Sequence, residues 1–79
     1  MIDLERFEEI KKAISKAKAE TSVYRQVADM SLKNASTCVE LGQIEFFDAW
    51  IAIEEFCKEK LSENLKLFED LSKELKDSD

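Results

Sequence analysis

Residues 39–57, VELGQIEFFDAWIAIEEFC, decide the fold, because they hold the only glycine, Gly42, the only tryptophan, Trp50, and the densest apolar run of the 79-residue chain. The chain has neither proline nor histidine. A single glycine in such a sequence marks the one position where the backbone can turn left-handed without steric cost and close a helix. Everything on either side of Gly42 reads as helix.

Downstream of the turn, Phe47, Trp50, Glu54, Cys57, Leu61, Asn64, Phe68, Leu71, Leu75 and Ser78 follow alternating steps of four and three. Upstream, Phe7, Ile10, Ile14, Ala17, Thr21, Tyr24, Ala28, Ser31, Ala35 and Cys38 keep the same register. Spacing of this kind puts one stripe on one face of a coiled-coil-like helix. The two stripes mirror each other about the glycine, with Ala35 opposite Trp50, Ala28 opposite Cys57 and Ala17 opposite Phe68, so small side chains meet large ones. The fold class is therefore all-α: a single domain over 1–79, built as a long antiparallel helical hairpin with helices over about 3–40 and 43–76.

Local signals agree. Asp3 is placed to cap the first helix, Glu5 sits in its first turn, and Ile2 and Phe7 have the spacing of a hydrophobic staple. Within Glu20-Thr21-Ser22 the weak helix formers Thr21 and Ser22 offer a possible break, with Ser22 able to cap a new helix, but the stripe passes through Thr21 unshifted. The first helix is expected to fray through Ala35, Ser36, Thr37 and Cys38, and the second through 77–79. Two layers of the seam are polar, Thr21 opposite Asn64 and Ser31 opposite Glu54, and read as devices that fix register.

The half of the chain near the turn has more apolar residues than one seam can use. Val23, Val27, Met30 and Leu41 of the first helix and Phe46, Ala49, Ile53 and Phe56 of the second fall on one common flank. Further from the turn this flank becomes charged, with Lys16, Glu20, Lys60 and Glu63. An uncovered strip of Phe, Ile, Val and Met predicts an interface, and a two-fold homodimer forming a four-helix bundle is its simplest closure.

Composition excludes several classes. Net charge is -6, and residues 42–79 carry eleven acidic against five basic side chains, which opposes direct nucleic-acid binding. The longest apolar run, 49–53, is far too short for a membrane span. MIDLERFEE is acidic where an export signal would be basic, so a cytoplasmic location is expected. Cys38 and Cys57 read as two buried thiols, neither a metal set nor a disulfide framework. Without histidine the usual general base, zinc ligands and di-iron motif are missing, and no glycine-rich phosphate loop occurs. The carboxylates of Glu45, Asp48, Glu54, Glu55, Glu59 and Glu63 read as an outer helix face. Glu8 with Lys12, Glu54 with Lys58 and Glu69 with Lys73 have the i,i+4 spacing of surface pairs, and Lys11, Lys12, Lys16 and Lys18 are interleaved with acids. No enzyme, cofactor or metal is expected.

Around the turn, Gly42, Ile44, Phe47, Asp48, Trp50 and Ala52 occupy the places of a glycine-tipped pattern, within a patch over about 21–75. In this the chain resembles the helical hairpin of TolC-like outer-membrane efflux factors, with Ile51 where that family has a second tip acid. The resemblance implies a hairpin that packs beside copies of itself in an efflux α-barrel. Read from the residues alone, the chain is a self-associating hairpin serving as a protein-protein interaction module or small regulator. A third reading is an acidic inhibitor covering a basic nucleic-acid-binding surface of a partner.

Overall fold

The computed structural model describes residues 3–77. Two helices account for the fold: α1, Leu4–Leu41, and α2, Ile44–Asp77, packed antiparallel in a rod of 59 × 16 × 12 Å. Both bounds fall within a residue of those expected from the sequence.

α1 begins where its orphan amides find a partner. The Asp3 carboxylate accepts from the Arg6 amide at 2.7 Å, and Phe7 N–H donates to the Asp3 carbonyl at 3.0 Å. The Ile2 half of the expected staple, and Ser78 at the far end of the seam, lie outside the described residues. Thr21 and Ser22 do not interrupt the helix. Nor do Ala35 to Cys38, expected to fray: Ala35 and Cys38 are buried in the seam and the Thr37 hydroxyl donates to the Lys33 carbonyl, so packing overrides weak local propensity.

The turn is closed by backbone. Gly42 has φ +72° and ψ +19°, its N–H reaches the Val39 carbonyl at 3.2 Å, and Gln43 N–H reaches the Cys38 carbonyl at 2.8 Å. These are the two bonds of a Schellman closure, which satisfies carbonyls left over at the helix end. The Gln43 carbonyl then accepts from Phe46 and Phe47, and α2 is under way after two residues.

Every buried residue among those described lies on the expected seam: Ile10, Ala17, Ala28, Ser31, Ala35 and Cys38 on α1, and Glu54, Cys57 and Leu71 on α2. The mirrored register is fixed by a bond across it, from Asn64 Nδ2 to Thr21 Oγ1 at 3.3 Å, with a longer approach to the Ala17 carbonyl at 3.5 Å. Large seam residues such as Tyr24, Phe47, Trp50 and Phe68 are only half-buried, because two helices cover a bulky side chain from one side and leave its flanks to water.

Candidate protein-docking surface

The second polar layer differs from the first. Ser31 donates to the Val27 carbonyl of its own helix at 2.7 Å and so makes no use of Glu54 across the seam. Glu54 itself is 4% exposed, a correction to its reading as an outer-face carboxylate. Lys58 Nζ lies 2.7 Å from Glu54 Oε1 in a close ion pair, and no other donor reaches that oxygen. The close approach of Glu54, and secondly its charge, raises the Lys58 ammonium above the ordinary lysine value. A buried carboxylate served by one largely exposed lysine is a local weakness in the seam, since burial costs the charged form much of its hydration.

The flank singled out in the sequence is exposed as a unit. Val23, Met30, Leu41, Phe46, Ala49, Ile53 and Phe56 stand in solvent and Val27 is half-buried between them. Phe56 meets the edge of Tyr24 with ring centroids 6.4 Å apart and planes at 77°, and Lys60 Nζ sits 5.5 Å above the Phe56 ring. These contacts hold the Phe56 ring in place yet leave it 53% exposed. Toward the open end the same flank is polar: Lys16 pairs with Glu20 and Lys60 with Glu63. Beyond them a two-pronged bridge joins the helices, Arg6 Nε to Glu74 Oε1 at 2.7 Å and Arg6 Nη2 to Glu74 Oε2 at 2.8 Å. The Arg6 hydrogen bond, helped by its charge and opposed by desolvation, holds the Glu74 carboxyl below its ordinary value, while Glu74 and then Glu9 push the guanidinium up.

Surface pairing departs from the simple spacing rule elsewhere. Glu8 reaches Lys11 at 3.8 Å rather than Lys12, Lys11 also lies over the Phe7 ring, and Glu69 and Lys73 are not within ion-pair distance. The lysine group of α1 is therefore partly neutralised in place. Cys38 and Cys57 are free and buried. Neither helix is long and apolar enough to cross a membrane, and among the described residues no three Cys, Asp or Glu side chains gather as metal ligands.

The opposite flank holds what the sequence reading missed. Leu32 and Val39 of α1 and Ile44 and Leu65 of α2 are also exposed. The signal was present, since each of Leu32, Val39 and Leu65 directly follows a seam residue and Ile44 lies seven before Ile51, the usual sites flanking a coiled-coil stripe. On the open-end side of Leu32, a groove of about 470 Å³ has Arg25, Lys58 and Ser62 on its rim over Leu61, Leu65 and Phe68. Thus both sides of the hairpin near the turn are apolar, but the charges beside them differ. Comparison with protein-family profiles, with curated proteins and with solved structures finds no match to this chain.

Proposed function

We propose that the chain is a non-enzymatic, cytoplasmic interaction module that pairs with a second copy through the flank of Val23, Val27, Met30, Leu41, Phe46, Ala49, Ile53 and Phe56, forming a four-helix bundle. The observation that carries this reading is the exposure of that flank as one continuous apolar strip reaching across both helices. Two further points support it. The chain exposes 6086 Å², whereas a compact monomer of its mass exposes about 4,900 Å². The surplus of about 1,200 Å² is ample for the roughly 800 Å² per partner that a standard interface covers. The charges bordering the strip are also of both signs and already paired within each helix, Lys16 with Glu20 and Lys60 with Glu63, so a second copy laid alongside with its turn at the same end meets no net charge at that border. In a reducing compartment Cys38 and Cys57 remain thiols inside the bundle.

Light scattering coupled to gel filtration tests the reading on the parent, Phe56→Asp and Glu55→Lys. The parent elutes with twice the chain mass. Phe56→Asp forces an unpaired charge into the contact and shifts the species to monomer, whereas Glu55→Lys, one residue along and facing water, leaves the dimer intact. A parent that stays a folded monomer at high micromolar concentration overturns the proposal.

A further inference from the structure

We infer that the flank opposite the pairing strip is a docking face for a basic amphipathic helix of another protein. Its apolar centre is Leu32 and Val39 of α1 with Ile44 of α2, all exposed. Toward the turn its rim is acidic, and the cations Arg25 and Lys58 border it only on the open-end side. Asp29 lies one turn before Leu32, Asp48 one turn after Ile44, and Glu55 one turn after Ile51, so the three carboxylates line the edge of this face, with Glu40 and Glu45 at the turn. None of these five acids has a cation within ion-pair distance among the described residues, and no basic residue occurs between Lys33 and Lys58. The nearest cation of α2, Lys58, is held chiefly by Glu54 and interacts with Glu55 more weakly, through charge alone.

Charge decides the occupant. A second copy laid alongside on this face would set Asp29, Asp48 and Glu55 against their own equivalents. Turned end for end it would match some charges with Lys18 and Arg25 but set Val39 and Ile44 against the charged open end around Glu8 and Lys11. The face is therefore poorly complementary to itself, unlike the pairing strip, whose bordering acids are each paired with a lysine of the same helix. A helix with an apolar stripe flanked by Lys or Arg satisfies both features, since its stripe covers Leu32, Val39 and Ile44 while its cations meet the unpaired rim. Unlike the groove edged by Arg25, which suits an anion, the rim at the turn steers a cation toward the apolar centre.

The test uses the full chain and a fluorescent 18-residue peptide of leucine and lysine with one helical leucine stripe, followed by anisotropy. A glutamate-for-lysine version of the peptide serves as control. The lysine peptide is expected to bind saturably, one per chain, and to weaken as salt is raised from 50 to 300 mM; the glutamate peptide is expected not to bind. Asp48→Lys with Glu55→Lys is expected to weaken binding on the order of tenfold, and Leu32→Ser with Ile44→Ser to abolish saturation. Glu5→Lys with Glu59→Lys makes the same change in net charge on the outer face and should leave affinity within about twofold. Equal weakening by both charge-reversed variants reduces the effect to net charge and overturns the inference. So does binding that survives Leu32→Ser with Ile44→Ser but is lost in Val23→Ser with Met30→Ser, or no binding of the lysine peptide at all. Because the peptide is scored against chain mass measured in the same samples, a chain that binds it as a monomer removes the pairing proposal alone.

Discussion

Replacing Glu54 by leucine should make the protein more stable. The side chain is 4% exposed and sits in the seam between the layers of Trp50 and Cys57, where Ser31 opposite it already spends its proton on the Val27 carbonyl. Nothing across the seam is left without a partner when the carboxylate goes. The loss is one i,i+4 contact to a lysine whose head is in water, roughly 0.3–0.5 kcal/mol. The gain is the burial of an apolar side chain of similar size, about 1.5–3 kcal/mol, with the added relief of a desolvated charge, and exchanges of buried ion pairs for apolar groups often stabilise by about 1–4 kcal/mol. The net expectation is about 1–3 kcal/mol, which for a domain of this size raises the midpoint of thermal unfolding by roughly 5–20 °C. Circular dichroism at 222 nm, with parent and variant at the same chain concentration, reads the shift directly. Glu54→Ala separates charge from volume, because it also removes the carboxylate but leaves a void and should fall below Glu54→Leu. A midpoint for Glu54→Leu equal to or below that of the parent would show that the carboxylate has a stabilising partner and that its burial as described is wrong.

Three further outcomes follow from the geometry. Ala35→Leu overpacks the layer it shares with Trp50 and should cost about 1–3 kcal/mol, whereas Ser36→Leu on the outer face should be near neutral; equal thermal shifts for the two contradict the register. Gly42→Ala places a Cβ in open space but at φ +72°, so it should lose about 1–2 kcal/mol through backbone strain alone, while Gly42→Asn, which tolerates that conformation, should recover part of the loss in the same urea titration. The Arg6–Glu74 bridge lowers the folded-state value of Glu74 from its ordinary 4.5. Its contribution is therefore full above that value and disappears as pH falls through the lower, folded one; urea midpoints of Glu74→Gln should vary less with pH below 4.5 than those of the parent.

The hairpin was legible because three independent signals agree: a stripe of constant register on each side, a single glycine between them, and small residues facing large ones about that point. Ala35 with Trp50 and Ala17 with Phe68 need no partner chain to be recognised. Glu54 was less legible. Its spacing put it both in the seam and at i,i+4 to Lys58, and sequence alone cannot say whether a long acidic side chain at a seam position lies along the interface or turns outward to its lysine. The structure does both at once, burying the carboxylate and drawing Lys58 to it. Leu32, Val39 and Ile44 were passed over for a different reason. Scattered single apolar residues on a helix carry no information by themselves, and they become a face only when the antiparallel register brings Val39 and Ile44 to the same end and the same side.

A narrow seam explains why the outer flanks matter. A rod 16 × 12 Å across is little wider than one layer of two helices, so layers with side chains up to the size of Ile10 and Leu71 are enclosed, while the bulkier Trp50, Tyr24 and Phe68 stay partly wet. Lengthening such a hairpin adds layers but does not improve the enclosure of any of them. Apolar area can be covered further only from the side, by another helix laid along a flank; if a second copy supplies it, as proposed, the unfolding midpoint should rise with chain concentration. The sequence concentrates its apolar surplus near the turn and places both of its large exposed strips there, one bordered by charges already paired in place and one by acids that are not. In the proposed dimer the first strip would close on a copy, and the second would stay available after it has closed.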